Sequence, residues 1–161
     1  MVHVETLLYI TKGNKVLLIL KKKGLGAGLY NGVGGKVEKN ETPLQAAIRE
    51  CIEEIGVEPL GVEWAGLLEF YNDGSLYGFV HIFRAEDYRG ELKESEEAKP
   101  EWFEIDKIPY DKMWEDDRYW LPTILKERKK VYGRFYFIDD WGKLIRSEIY
   151  ILTGEKVIIP P

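Results

Sequence analysis

Glu50, Glu53 and Glu54 stand at positions i, i+3 and i+4 of a segment with helical character, so their carboxylates project from one side. Like charges placed in this way repel by on the order of a few tenths of a kcal/mol per pair. A hard divalent cation reverses the balance. Mg²⁺ takes oxygen ligands, keeps several waters, and is shared between one or two carboxylates and substrate phosphates. Three glutamates by themselves would read as a solvated acidic helix face. Here they sit within GKVEKNETPLQAAIRECIEEIGV, residues 35–57, where Gly35, Glu41, Arg49, Gly56 and Val57 accompany them at set spacings. Arg49 among so many acids has a role if it pairs with Glu41 or Glu53 and locks the carboxylates' geometry.

The elements around this segment are also readable. Thr42-Pro43-Leu44-Gln45 is a helix start, with Thr42 as cap, Pro43 at the first helical position and Gln45 completing a capping box. Leu44, Ala47, Ile48, Cys51, Ile52 and Ile55 recur at helical spacing and are expected to form the buried face. Gly56 suits the left-handed residue that closes a helix. Residues 5–10 and 15–20 read as a hairpin turned at Lys12-Gly13-Asn14, and residues 64–71 and 76–85 as a second strand pair around Asn72-Asp73-Gly74. Residues 101–105 form a short strand. Residues 120–131 are expected to be a second helix, with Leu121, Ile124 and Leu125 inward and Lys126, Arg128, Lys129 and Lys130 outward. A last hairpin, residues 135–138 and 144–152, turns at residues 139–142. Strands mixed with two main helices predict an α/β fold in one domain, residues 1–161. The apolar tail, residues 157–161, has no evident place.

The 161-residue chain can bury a sizeable core, and its apolar runs fall short of the ~18 residues needed to span a bilayer. Met1 leads directly into a strand-like segment, so no signal peptide is expected. Cys51 is the lone cysteine, so a disulfide framework is excluded and a reducing cytoplasm is the expected location. A net charge of −5 argues against binding a nucleic-acid polymer, but not against a nucleotide whose phosphates are masked by a metal ion.

Three further segments bear on the substrate. In KKKGLGAGLYNGVGG, residues 21–35, glycines let the backbone approach a ligand, and Asn31 can donate to and accept from a base edge. The alternative is a glycine-rich connection in which Asn31 caps a turn. In WEDDRYW, residues 114–120, Trp114 offers a stacking ring, and Asp116 and Asp117 could hydrogen-bond a purine. Two acids in one such site would not both ionise easily, so one stays protonated as a donor. The alternative has Asp117 capping a helix that begins near Tyr119, with Asp116 solvated. Glu97 supplies another carboxylate from a charged loop, or is simply part of that loop.

Residues 35–57 resemble the Nudix box of the Nudix hydrolases. The resemblance implies an α/β/α sandwich with a mixed sheet, the box as a loop–helix–loop, and hydrolysis of a nucleoside diphosphate linked to another group with Mg²⁺ or Mn²⁺. It implies that Glu50, Glu53 and Glu54 are metal ligands, that Gly35 lends its carbonyl, and that Arg49 and Glu41 form a supporting ion pair. Residues 21–36, together with Trp102-Phe103, Ile108-Pro109, Met113-Trp114, Asp116-Asp117, Tyr119-Trp120 and Gly133, are similar to the oxidized-purine nucleoside triphosphatases, which remove 8-oxo-dGTP from the nucleotide pool. That similarity covers about residues 4–150. It implies that Asn31, Trp114, Asp116 and Asp117 contact the base, that Thr6 and Lys21 line the pocket, and that Glu97 assists the metal site. The chain departs from that family at Leu25 and Tyr30 (Phe and Trp there), at Glu69 (an aromatic), at Gly78 (a Met) and at Glu115 (a Pro). These changes are expected to reshape one wall of the base pocket.

The expected reaction is substitution at phosphorus of a purine nucleoside triphosphate, giving a monophosphate and pyrophosphate, with either Glu53 or Glu97 taking the water's proton. The chain is expected to act as a monomer. Two rivals stand beside this: cleavage of another nucleoside diphosphate derivative such as ADP-ribose or a dinucleotide polyphosphate, and a non-catalytic nucleotide-binding module.

Overall fold

Consecutive residues of the first two strands are buried on opposite faces, and this arrangement organises the molecule. The computed structural model describes residues 1–153, so the apolar tail at 157–161 lies outside the described residues. The chain runs β1 (His3–Lys12), β2 (Lys15–Lys21), β3 (Tyr30–Asn31), β4 (Val33–Lys36), α1 (Pro43–Ile55), β5 (Glu58–Leu60), β6 (Glu63–Asn72) and β7 (Ser75–Ala85). It continues through β8 (Asp87–Arg89), β9 (Ala98–Glu104), α2 (Asp117–Leu125), β10 (Lys130–Ile138) and β11 (Lys143–Leu152). Tyr9, Val16 and Leu18 pack toward α2 with Leu68, Ile82, Trp120, Leu121, Ile124 and Phe135. Leu8, Ile10, Leu17 and Ile19 pack toward α1 with Ala47, Cys51, Ile55 and Phe83. A strand stretch covered on both faces must be apolar at nearly every position, as residues 7–10 and 16–20 are. The result is the expected α/β/α sandwich.

Among the described residues, nine strands make one mixed sheet along β11-β10-β6-β7-β1-β2-β3, with β4 also paired to β1 and β9 to β2; β5 and β8 form a small separate ladder. The β1–β7 and β6–β10 pairs are parallel and the other strand pairs antiparallel. Along one edge β1 pairs first with β4 (Glu5 to Leu8) and then with β2 (Ile10 to Lys12), so the partners part beside Tyr9. The three expected hairpins form. β3 and β4 were not foreseen, because a glycine-rich stretch carries no strand propensity and is held here by its neighbours.

Helix α1 begins and ends as its sequence directs. Thr42 Oγ1 accepts from the Gln45 amide at 3.1 Å, Gln45 Oε1 accepts from the Thr42 amide at 2.8 Å, and Gly56 closes the helix at φ 76°. Its buried face is turned from the expected one. Ala46, Ala47, Cys51 and Ile55 are buried and Ile48 is half-buried, whereas Leu44 and Ile52 are 42% and 49% exposed. The rotation brings Glu50 and Glu54 against the sheet at the cost of the Ile52 side. The second helix is also corrected: α2 starts at Asp117 and stops at Leu125, so Lys129 lies beyond it and Lys130 opens β10. Val131, Phe135 and Phe137 bury with period two, which only a strand satisfies. No described helix is long and apolar enough to cross a membrane.

Candidate active site

Arg49 organises the acidic helix. Its Nε and Nη2 bind Glu41 in bidentate fashion at 2.7 and 3.0 Å, Nη1 reaches Glu50 at 2.7 Å and Glu53 at 3.1 Å, and Nη2 also donates to the Lys36 carbonyl at 3.0 Å. One guanidinium thus ties the loop before α1, the helix and the end of β4 together. Its hydrogen bonds hold the Glu41 carboxyl below the usual carboxylate range. Burial pushes Glu50 up, and Arg49 offsets part of that. The helix approaches β4 closely: a Cβ on Gly35 would lie 2.7 Å from the Glu50 carboxyl carbon, so any larger residue would displace that carboxylate. Glu54 is more perturbed than Glu50. Burial, and then the charge of Glu50, raise it to about 8 despite the Gly34 amide and Lys21.

A cleft of about 370 Å³ opens beside this helix, lined among others by Thr6, Lys21, Asn31, Gly35, Glu54 and Glu97. Trp114, Asp116 and Asp117 also line it. Both aspartates are 2% exposed. Asp116 Oδ2 accepts the Trp120 indole N–H at 2.8 Å, and Asp116 occupies the cap position of α2 without capping it. The solvated-cap alternative is therefore not what the fold builds. Burial raises Asp116 to about 6, with the Trp120 indole acting against it. Burial, followed by the charge of Asp116, pushes Asp117 well above the carboxylate range, so of the pair it is the more readily protonated. Asn31 is fixed by β3 pairing with β2, and its Oδ1 accepts from the Gly32 amide at 2.8 Å and from the Tyr9 hydroxyl at 3.4 Å. That orientation leaves its Nδ2 as a donor.

Five buried side-chain oxygens lack a hydrogen-bond partner among the described residues, and Thr6 Oγ1, Glu54 Oε2 and Asp117 Oδ2 all belong to residues of this one cleft. Unpaired buried polar atoms are costly, and their concentration here marks a place built to be completed by a ligand.

Residues 1–124 match the NUDIX domain. The chain belongs to the Nudix family. It is 46% identical over 134 residues to an oxidized purine nucleoside triphosphate hydrolase of Danio rerio, covering 82% of this chain and 85% of that one. The like-named protein of Mus musculus is 43% identical over 136 residues, covering 84% and 86%. Among solved structures, a MutT protein of Bacillus halodurans superposes with a TM-score of 0.81 at 25% identity, over 92% of this chain and 97% of that one.

Nudix hydrolases generally use a divalent metal, and this Nudix helix fits one. Glu54 Oε2 is buried without a partner, and both Glu50 and Glu54 are pushed up where a cation would pull them down. The donors are not all gathered: among the described residues no three acidic, His or Cys side chains stand at metal-holding distance. Glu54, Glu97 and Gly35 line the cleft, Glu50 lies against Gly35, and Glu53 turns to Arg49 with its side chain 59% exposed. Arg49 is the positive charge toward which Glu50 and Glu53 turn.

Most of the departures expected to reshape the base pocket lie elsewhere in this Nudix fold. Glu69 is on the opposite face of β6, bound to Arg134 at 2.7 Å and to the Tyr132 hydroxyl at 3.2 Å, because it alternates with Leu68 and Phe70. Tyr30 stands edge-on to Phe103 at 5.0 Å, and neither Gly78 nor Glu115 lines the cleft. Only Leu25 does. Phe70, Tyr77, Phe137 and Trp141, with Glu5, line the cleft instead, and nothing in the sequence alone singles these residues out. Trp141 holds φ 69° in the β10–β11 turn, its amide donating to Asn72 Oδ1 at 3.0 Å, and its ring meets Tyr77, Phe137 and Trp114 at 5.0, 5.3 and 5.9 Å. A bulky residue at positive φ was the available signal, but φ is not visible in a sequence.

Proposed function

We propose that this chain, acting as one Nudix domain, hydrolyses purine nucleoside triphosphates carrying an oxidized base, such as 8-oxo-dGTP, to the monophosphate and pyrophosphate. The observation that carries this is a single cleft joining the acidic helix at Gly35 and Glu54 to the buried Asp116–Asp117 pair. The similarity to relatives named for that activity supports it. Glu50, Glu53 and Glu54, with Glu97 and the Gly35 carbonyl, would hold Mg²⁺, or Mn²⁺ in its place. Such an ion, when bound, neutralises phosphate oxygens and acts as a Lewis acid. Arg49 and Glu41 hold the helix and loop in register. Lys21 lies on the phosphate side, where its charge already acts on Glu54. At the base, Asp117 donates its proton to a ring or carbonyl acceptor while Asp116 accepts, and Asn31 Nδ2 donates. Trp114 gives the ring a stacking face, and Thr6 Oγ1 faces the ligand from β1. Water attacks a phosphorus as its proton passes to a carboxylate, Glu97 in the cleft or Glu53 on α1, and pyrophosphate leaves.

A lone, buried Cys51 suits a reducing cytoplasm, and a complete cleft within one chain is consistent with a monomer. Pyrophosphate release across 8-oxo-dGTP, 2-hydroxy-dATP, the unmodified nucleotides and ADP-ribose tests the proposal. Oxidized purine triphosphates are expected to give the highest kcat/KM with Mg²⁺. A preference for ADP-ribose, or no release from any triphosphate, would overturn it.

A further inference from the structure

Glu5 and Tyr77 have no part in the reaction just described, yet both face the cleft. The β6–β7 ladder pairs Phe70 with Gly78 and Tyr71 with Leu76, leaving Tyr77 as the extra residue of a β-bulge. Bulges re-aim side chains, and this one turns Tyr77 out of the alternation and into the cleft. Its hydroxyl donates to Glu5 Oε2 at 2.6 Å, and its ring stands edge-on to Trp141 at 5.0 Å and beside His3 at 4.6 Å. Burial, and then Glu5, push the phenol well above the tyrosine range, so the hydroxyl stays a donor and Oε2 stays occupied. Glu5 Oε1 makes no hydrogen bond among the described residues.

The placement of Glu5 narrows what it can serve. On β1, Glu5, Leu7 and Tyr9 share a face by strand alternation, and Tyr9 bonds Asn31 and lies beside the Asp116–Asp117 pair. Glu5 is held by Tyr77, whose ring meets Trp141, and Trp141 meets Trp114 at 5.9 Å, so the Glu5–Tyr77 pair continues the aromatic side of the cleft, with the cross-strand neighbour Lys36 also lining it. A carboxylate there repels phosphate and can only accept. We propose that Glu5, positioned by Tyr77, is a specificity-determining residue that accepts a hydrogen bond from an O–H or N–H donor of the nucleoside. The proposal rests on the triphosphatase function above, and it makes the β6–β7 bulge part of substrate selection.

The test compares kcat/KM for pyrophosphate release by the wild type, Glu5→Leu, Glu5→Gln and Tyr77→Phe. One arm keeps the 8-oxoguanine base and varies the sugar through ribose, deoxyribose and dideoxyribose. The other keeps deoxyribose and varies the base through 8-oxoguanine, 8-oxohypoxanthine and 2-hydroxyadenine. Loss of a hydrogen bond to a charged group is expected to change the ratio between members of one arm by roughly tenfold or more in Glu5→Leu. Glu5→Gln keeps the side chain's volume and is expected to shift the same ratio. Tyr77→Phe, which removes one oxygen from a positioning residue, is expected to shift it in the same direction by less. The arm that moves identifies the donor as sugar or base. Ratios unchanged in both arms, whether or not overall activity falls, overturn the proposal and leave the function standing. A wild-type chain that releases no pyrophosphate from any of these nucleotides overturns the function itself, a result distinct from unchanged ratios.

Discussion

Replacing Asp116 with asparagine should make the protein more stable at pH 8 and leave it nearly unchanged at pH 4. Asp116 is buried and raised to about 6, chiefly by desolvation. An unfolded aspartate titrates near ~3.9, so folding lifts the group by roughly two units, worth about 3 kcal/mol at ~1.4 kcal/mol per unit. The sign follows from proton binding. Between the two values the folded state holds more protons than the unfolded one, so wild-type stability falls as pH rises from about 4 to about 6, and the loss persists above that. Asparagine carries no charge to desolvate, and its oxygen can still accept the Trp120 indole now bonded at 2.8 Å. For a chain of this size, ~2–4 °C per kcal/mol predicts a melting point about 6–12 °C above the wild type at pH 8. Metal-free melts of both proteins at pH 4 and pH 8 measure this. Equal gaps at the two pH values, or a less stable variant at pH 8, would refute a charged Asp116 held in the fold against desolvation. The same variant should change relative turnover among purine triphosphates, because its amide can donate where the carboxylate only accepted.

Glu53→Gln should lose roughly a hundredfold or more in pyrophosphate release while shifting stability by less than about 1 kcal/mol, because its ion pair with Arg49 is largely exposed; turnover at the wild-type rate would remove Glu53 from the machinery. Arg49→Leu strands Glu41 and Glu50, whose side chains are only 14% and 15% exposed, and should lower stability by about 2–3 kcal/mol in urea titration. An unchanged midpoint would show that the clamp is dispensable. Mg²⁺ at a hundredfold excess over its Kd should stabilise the protein by about 2.7 kcal/mol relative to EDTA. Glu54→Gln should abolish most of that shift in a melting experiment, and a full shift in the variant would place the ion elsewhere.

Much of the fold was legible because local chemistry and global packing agree. The Thr42–Gln45 capping box, the Gly56 closure and the hairpin turns each stand where their residue types require. The face of α1 and the end of α2 differ from expectation for a common reason: periodicity shows that a face is buried without showing where the sheet lies. In α1 the sheet takes Glu50 and Glu54 and leaves Ile52 outside; after Leu125 the sheet, not the helix, claims Val131. The cleft was half legible. Asn31, Asp116 and Asp117 are polar residues set among glycines and tryptophans, a composition that calls for explanation. Tyr77 and Trp141 are aromatic residues at strand ends and turns, where large apolar side chains are ordinary. Only a register shift in one ladder and a left-handed backbone in another turn reveal that both enter the site.

The buried acids also explain why the cleft sits where two strands part beside Tyr9. Glu54 and Asp117 each carry an oxygen without a partner, and each is raised first by desolvation. Such groups weaken a fold, and they persist only where the surrounding structure is over-determined. Here β1 and β2 lie between two apolar layers, one anchored by α1 and the other by α2, so the sheet between the acids is held from both sides. Under the proposed function, Glu54 on α1 would face the metal, and Asp116 and Asp117 at the start of α2 would face the base. On that reading, a ligand that spans the cleft would relieve both ends together, one by cation and phosphate, the other by a purine edge. A phosphate compound lacking the base relieves only one. Discrimination between them then comes chiefly from the carboxyls left unpaired in the cleft when the base is missing, and less from the hydrogen bonds that form when it is present.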